Sequence, residues 1–335
     1  MVGNRMGSGL RRGVLGLILG IGLAVPAMAQ DQVKVGLLRI GNPIVIGIEK
    51  GFFKEHGVDV EAVYVRSGAE QIPALSTGTV DAVLTSATAA LFNAMVAGID
   101  MTIAGDYISL LPDNPSNALI VRSDLADSGE VKSAADLKGR TVGITAMGVY
   151  THQAAVRILE DAGLSVDDVR LVTMPYPDMV AALSNGAIDA ANMTEPFVTI
   201  AMENGTGKML VDHSQVMPNL ELGVTLLGKR LAKEDKDLGI RFMKGLVQSM
   251  RYMRGMLTDP ARKDEIATLM QRDLPSKDPE MYKRMAWPLT AEGQKVNVAS
   301  LVDQMEFYTR MGLVKGTPDV QAFVDPSFLE AVDAN

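Results

Sequence analysis

Short apolar runs alternate along most of the chain with segments whose apolar side chains recur at helical spacing. Ten runs have the length and composition of strands. They are residues 33–38, 58–65, 80–85, 101–104, 117–122, 141–144, 169–173, 188–191, 209–211 and 220–227. Helices are predicted between them, among them 44–55, 70–76, 88–97, 178–184 and 197–203. This alternation predicts an α/β fold with mostly parallel sheets.

One short segment occurs twice. ALSTGTVDA at 74–82 returns as ALSNGAIDA at 182–190, each with a helix end, a glycine cap and the start of a buried strand. Such joints are common, so a chance similarity is the alternative reading. We favour two similar α/β sandwich lobes with a ligand cleft between them, because ligands of open α/β sheets bind at the carboxyl ends of strands.

The expected organisation follows from this repeat. Residues 30–122 are assigned to the first part of lobe 1, 123–219 to lobe 2, and 220–335 to a return into lobe 1 with C-terminal helices. An apolar stripe from Met243 to Leu257 marks a long helix. A methionine stripe at helical spacing indicates core packing rather than soft-metal binding.

The first 29 residues have the pattern of an export signal. Arg5, Arg11 and Arg12 precede an apolar run at 14–25, and Ala27-Met28-Ala29 provides small residues for cleavage near Ala29. The run is shorter than the roughly 20 residues that span a bilayer, which disfavours the alternative of a membrane anchor. We therefore expect a soluble periplasmic protein.

Composition narrows the function further. The 335-residue chain has no cysteine and a formal charge of −8. Thiolate metal sites and cysteine nucleophiles are excluded, and an acidic chain without a basic block disfavours nucleic acid as a partner. We find no phosphate-binding glycine loop, nucleophile elbow or zinc-protease motif. His56, His152 and His213 are far apart in sequence. We expect no enzyme activity, metal or cofactor.

The remaining candidates are binding groups at strand–helix joints. Ser67-Gly68, Thr85-Ser86-Ala87 and 145–148 precede helices, where backbone N–H groups and hydroxyls can hold an anion. Simple helix capping is the alternative for these residues. Arg39 can pair with a carboxylate or sulfonate, or be a surface arginine. Glu195 can accept from a ligand ammonium, or be a structural acceptor.

These residues belong to a series of motifs that resembles one family. KGFFKEHGVDV at 50–60, Gly78-x-x-Asp81-Ala82, DLKGRTVG at 136–143 and Glu195-Pro196 occur in the order seen in solute-binding proteins of ATP-binding-cassette importers. The resemblance is to the nitrate/sulfonate/taurine and thiamine-precursor group and covers roughly residues 33–331. It implies a two-lobed periplasmic-binding-protein fold of type II. Carried over from the family, the ligand-contacting positions are Arg39, Gly41, Asn42, Ser67, Ser86, Ala87, Met147, Gly148 and Glu195.

The family implies a monomer that closes on a small solute and delivers it to an inner-membrane permease. We expect an anionic or zwitterionic organic solute, with sulfonates preferred over taurine-like zwitterions and carboxylates. Met193-Thr194 stand where many relatives have an aromatic residue, which disfavours a pyrimidine. Tyr107, Tyr150, Tyr176 and Trp287 are candidates for a stacking wall. A thiamine-precursor protein, an enzyme on the same fold and a partner of a membrane sensor remain as alternatives.

Overall fold

The computed structural model describes residues 30–112 and 114–334; the export signal predicted for residues 1–29 lies outside this part. Ten strands lie within it. In chain order they are β1 Asp31–Leu37, β2 Val58–Tyr64, β3 Ala82–Ser86, β4 Met101–Ser109, β5 Asn117–Arg122, β6 Thr141–Ile144, β7 Arg170–Thr173, β8 Ala190–Thr194, β9 Gly207–Asp212 and β10 Glu221–Gly228.

The strands form two five-stranded sheets with the same arrangement. One has the order β2-β1-β3-β10-β4 and the other the order β7-β6-β8-β5-β9. In each, three parallel strands are followed by an antiparallel strand, β10 or β5, that pairs with the central strand. Helices flank both sheets, which confirms the prediction of two α/β lobes.

The repeated segment forms the same joint in both lobes. Asp81 Oδ2 accepts from the N–H of Lys34 at 2.9 Å, and Asp189 Oδ2 accepts from the N–H of Thr141 at 2.9 Å. Each aspartate therefore binds a backbone N–H of the neighbouring parallel strand, within β1 for Asp81 and at the start of β6 for Asp189. An arginine at the end of the antiparallel strand pairs with each carboxylate, Arg230 with Asp81 at 3.0 Å and Arg122 with Asp189 at 3.2 Å.

The boundary expected after residue 122 is wrong, because β5 belongs to the second sheet, where it pairs with β8 and β9. Strand periodicity shows that a segment is extended but not which sheet it joins. The chain crosses between Ser109 and Asn117 and returns before β10. The two crossings are hydrogen-bonded side by side, since Leu110 donates to the carbonyl of Leu220 and accepts from the N–H of Asn219, both at 3.0 Å.

The helices, in chain order, connect strands or cover the sheets. They are α1 Pro43–Lys50, α2 Phe52–Glu55, α3 Gly68–Ser76, α4 Ala89–Val96, α5 Ser123–Ser128, α6 Tyr150–Asp161, α7 Tyr176–Ser184, α8 Phe197–Glu203, α9 His213–Val216, α10 Lys236–Arg254, α11 Pro260–Met270, α12 Pro279–Arg284, α13 Val298–Arg310 and α14 Ser327–Asp333. The single helix expected over 44–55 is two helices, because Gly51 adopts φ +78° and ends α1.

The C-terminal helices pack on the first lobe, as expected. Helix α10 contacts α1, α2 and α14, and the rings of Phe53 and Phe242 stack at 5.5 Å. The methionines of its apolar stripe are buried core residues. The helix ends at Arg254 rather than continuing to Leu257, which is 60% exposed. Within residues 30–112 and 114–334, no helix combines the length and apolar character needed to cross a bilayer.

Candidate functional site

A small cavity lies between the two lobes, where strands of both sheets end. Its volume is about 50 Å³, and seven residues from each lobe line it. The first lobe contributes Leu38, Ile40, Gly68, Ser86, Tyr107, Ile108 and Leu222. The second lobe contributes Asn117, Thr145, Val149, Tyr150, Thr151, Tyr176 and Thr194. We call this space the inner cavity; none of these fourteen lining residues is charged.

A wider space adjoins the inner cavity. This outer cavity has a volume of about 380 Å³ and shares Leu38, Ile40 and Tyr176 with the inner one. Its other lining residues are Arg39, Tyr64, Val65, Arg66, Pro175, Pro177 and Phe197. The volume lies within the range of sites for small organic molecules. Together the two cavities form one cleft that is narrow inside and wide at its mouth.

Three tyrosines of the expected stacking wall line the inner cavity. Tyr107 and Tyr150 are buried, and the ring of Tyr176 stacks on Phe197 with centroids 5.3 Å apart. Trp287 is not part of this wall. Its indole packs under Gly41, and its N–H donates to the carbonyl of Tyr282 at 3.0 Å.

One tyrosine of the cleft is paired with a buried histidine. The hydroxyl of Tyr150 lies 2.7 Å from Nδ1 of His213. Burial raises the pKa of Tyr150 well above its usual value and lowers the pKa of His213 to about 3. Both side chains are therefore neutral near pH 7, and they form a fixed neutral wall.

Hydroxyl and amide groups complete the inner cavity. The hydroxyls of Thr145 and Thr151 are 2.8 Å apart, and Thr151 also accepts from the N–H of Thr145 at 2.9 Å. The Asn117 amide donates to the hydroxyl of Ser116 at 3.1 Å. Its buried Oδ1 has no partner among the described residues. The inner cavity thus offers polar groups without a net charge.

Arg39 lines the outer cavity at the mouth of the cleft. Its guanidinium carbon is 4.1 Å from the ring centre of Tyr64. Nη1 donates to the carbonyl of Asp273 at 3.2 Å and lies 3.6 Å from its Oδ1. Within the described chain, Nε and Nη2 have no hydrogen-bond partner. The guanidinium is thus held on one side and free on the other.

Gly41, Asn42 and Ala87 have structural roles in this conformation. Gly41 leaves space for the indole of Trp287, which a Cβ would approach to 3.1 Å. Asn42 is buried and caps α1, since its Oδ1 accepts from the N–H of Val45 at 3.3 Å. The N–H of Ala87 donates to the carbonyl of Leu222 at 3.2 Å. None of the three lines either cavity.

The other candidates at helix starts lie at or beside the cleft. Ser86 lines the inner cavity, whereas Ser67 directly precedes the lining residue Gly68. Met147 is 51% exposed and lines neither cavity. Gly148, with φ +72°, joins the lobes because its carbonyl accepts from the N–H of Ala89 at 2.8 Å.

His152 supports this joint from behind. Its Nδ1 accepts from the N–H of Gly148 at 3.3 Å, and burial lowers the pKa of its ring. The side chain is fully buried and does not line either cavity. His152 therefore supports the joint between the lobes and does not reach the cleft.

Glu195 lies outside the cleft. Its carboxylate is 2% exposed and accepts from the N–H of Thr199 at 3.0 Å and from the hydroxyl of Thr199 at 2.8 Å. It also accepts from the N–H of Ala286 at 3.4 Å. Burial raises the pKa of Glu195 to about 7. Of the two readings open from the sequence, the structural acceptor agrees with this geometry.

Sequence reasoning missed several lining residues. Asn117 and Leu222 lie near the starts of the antiparallel strands that follow the two crossings, and Thr194 ends β8. The matching sheet orders place β5 and β10 beside the central strands β8 and β3. The only sequence signal for Thr194 was its place one residue before Glu195, and Asn117 and Leu222 had none.

This geometry defines a two-lobed binding protein with an interlobe cleft, and the comparisons with known proteins agree. A model of the NMT1-like family matches residues 27–271, so the chain belongs to this family. Within the described residues, no group of three or more His, Cys, Asp or Glu side chains is arranged to hold a metal ion.

Similar proteins carry names related to sulfonate binding. A protein of Escherichia coli K12, provisionally named an aliphatic sulfonates-binding protein, is 26% identical over 267 residues, 79% of each chain. A protein of Bacillus subtilis 168 with the same provisional name is 24% identical over 89% of this chain and 87% of that protein.

Solved structures share the fold at lower identity. The alkanesulfonate-binding protein SsuA from Xanthomonas axonopodis, bound to MOPS, has a TM-score of 0.71 and 18% identity over 89% of this chain and 99% of its own. The nitrate-binding protein NrtA from Synechocystis has a TM-score of 0.76 and 14% identity over 91% and 89%. The desulfurization enzyme DSZB has a TM-score of 0.64 and 18% identity over 91% and 99%.

Proposed function

We propose that this chain is the periplasmic solute-binding component of an ATP-binding-cassette importer. It acts as a monomer that captures a small anionic or zwitterionic organic solute in the cleft and delivers it to an inner-membrane permease. Sulfonates are the preferred class, followed by taurine-like zwitterions and organic carboxylates. Family membership and the relatives named as sulfonates-binding proteins support the solute-binding role.

The observation that carries the proposal is the composition of the cleft wall. Each lobe contributes seven residues to the inner cavity, so a ligand there touches both lobes at once. Such a ligand binds the closed form better than the open form. It therefore shifts the equilibrium toward closure.

The two ends of the cleft suit two parts of one solute. The free edge of Arg39 can donate two hydrogen bonds to a sulfonate or carboxylate. Tyr176 and Phe197 offer aromatic surface to an apolar or ring-shaped body. The uncharged inner cavity then receives a neutral part of the solute.

We propose that the protein has no catalytic activity of its own, although DSZB shares the fold. The titratable pair at the inner cavity, Tyr150 and His213, stays neutral near pH 7 because burial shifts both pKa values away from it. A pair of this kind is a poor general acid or base at that pH. Turnover of an arylsulfonate or arylsulfinate by the purified protein would contradict this part of the proposal.

A thermal-shift and calorimetric series tests the binding role. We suggest benzenesulfonate, taurine, benzoate, the neutral isostere benzenesulfonamide and a substituted pyrimidine. A ligand that binds only the native state raises the melting temperature. We expect a rise with the sulfonate and little change with the sulfonamide. Equal rises with both, or a rise with the pyrimidine alone, would contradict the proposed anion.

A further inference from the structure

The charged residues of the outer cavity bear on which solutes the cleft accepts, an inference that rests on the proposed function. Two basic side chains line this cavity, Arg39 and Arg66. Each is next to a carboxylate of the protein, Arg39 at 3.6 Å from Asp273 and Arg66 at 3.0 Å from Glu70. The mouth of the cleft therefore offers directed N–H donors with little excess positive charge.

The ion pair of Arg39 with Asp273 has more supporting contacts than the ion pair of Arg66 with Glu70. Tyr64 packs its ring against the guanidinium and donates its hydroxyl to the carboxylate of Asp273. Burial, together with this hydrogen bond, raises the pKa of Tyr64 above its usual value, so the phenol stays a donor. The Asp273 side chain is 20% exposed, whereas the Glu70 side chain beside Arg66 is 39% exposed. The negative charge beside Arg39 is thus fixed in place.

We infer that Asp273 is a specificity-determining residue of the cleft, which admits monoanions and zwitterions and rejects dianions. A monoanion places its one charge on the free edge of Arg39, opposite to Asp273. A dianion has to place a second negative charge in the same outer cavity, where Asp273 and Glu70 already balance the arginines. Tyr64 is the positioning residue that keeps the carboxylate of Asp273 against Arg39.

The size of the effect follows from Coulomb's law. A second ligand charge roughly 6 to 8 Å from the carboxylate of Asp273 is repelled enough to reduce affinity about three- to tenfold at effective dielectric constants of about 40 to 80, between those of a protein surface and bulk water. Salt weakens this repulsion, because the Debye length is about 10 Å at 0.1 M. The selection is therefore strongest at low ionic strength.

A matched ligand pair tests the inference. Benzenesulfonate and 1,3-benzenedisulfonate differ by one charged group on the same ring. Calorimetry at low salt should show that Asp273→Asn strengthens binding of the disulfonate about three- to tenfold more than binding of the monosulfonate. Asp264→Asn is the control. This substitution removes an equal charge from the same helical region, but Asp264 pairs with Lys283 and not with Arg39.

The results distinguish a failure of the role of Asp273 from a failure of the proposed function. An unchanged ratio of the two affinities in Asp273→Asn, or the same change in Asp264→Asn, overturns the role of Asp273 while benzenesulfonate binding still supports the proposed function. If neither sulfonate binds the wild-type protein, both the anion proposal and this inference fail. Tyr64→Phe should change the ratio in the same direction as Asp273→Asn, since it releases the carboxylate.

Discussion

The two lobes share a sheet order but contribute different chemistry to the cleft. The first lobe supplies Arg39 and, through the C-terminal helices that pack on it, Asp273. The second lobe supplies the apolar side of the mouth, with Tyr176 and Phe197. The same sheet order thus presents charged side chains on one side of the mouth and aromatic side chains on the other. Under the proposed function, a solute with an anionic part and an apolar part contacts both lobes at once.

The largest expected effect tests whether the buried acid of the second lobe is structural. The pKa of Glu195 is raised to about 7 by burial, so its protonated form is favoured in the folded state. The stability from this group is present below the unfolded pKa near 4.5 and is lost as the pH rises through 7. The loss is about 3 kcal/mol.

Denaturant unfolding of wild type and Glu195→Gln between pH 4 and 8 measures this loss. The glutamine variant should lack the decrease in unfolding free energy between pH 4.5 and 7.5, and it should bind benzenesulfonate like wild type. Parallel pH profiles would contradict the raised pKa of Glu195. A strong loss of sulfonate binding would instead indicate that Glu195 contacts the ligand.

The next effect tests the charged side of the cleft. Arg39→Ala should weaken benzenesulfonate binding by about 2 kcal/mol, because hydrogen bonds to charged groups are lost. Arg66→Ala is the control, since that side chain is 84% exposed and paired with Glu70. Calorimetry that gives equal losses for the two variants would mean that Arg39 has no special place.

A smaller effect is expected on the aromatic side. Tyr176→Ala removes a ring that stacks on Phe197 and should weaken ligands with aromatic bodies by about 1 kcal/mol. Compared by calorimetry, benzenesulfonate should lose this affinity and methanesulfonate should lose much less. If both lose equally, the second lobe does not recognise the body of the solute.

The smallest effect concerns a contact that joins the lobes outside the cleft. Arg284 of α12 forms two hydrogen bonds with Glu203 of α8, at 2.7 and 2.9 Å. The pair is exposed, so Arg284→Ala should weaken benzenesulfonate binding by only about 0.5 kcal/mol through a shift toward the open form. Lys283→Ala, which breaks pairs within α11 and α12 alone, should leave affinity unchanged.

The sequence predicted the lobes because their information is local. Gly78 and Gly186 both adopt positive φ after a helix, and each of the aspartates that follow them accepts from a backbone N–H of the neighbouring strand. Arg39 is a local prediction for a similar reason, since it directly follows the strand predicted over 33–38. Periodicity and turn chemistry therefore predict the elements and one side chain that lines the mouth of the cleft.

The remaining parts of the site depend on residues that are distant in sequence. Strand β5 was assigned to the wrong lobe because pairing partners are not encoded in the strand's own pattern. The carboxylate of Glu195 is occupied by Thr199 and by the N–H of Ala286, far along the chain. No local pattern in the sequence marks Asp273, because only the packing of the C-terminal helices brings it to Arg39.

A crystal structure of the protein with bound benzenesulfonate tests the central claim most directly. We predict a sulfonate oxygen about 3 Å from Nε or Nη2 of Arg39, with the ring against Tyr176 and both lobes in contact with the ligand. A sulfonate bound outside the cleft, or bound within it while Arg39 contacts only Asp273, would contradict the account.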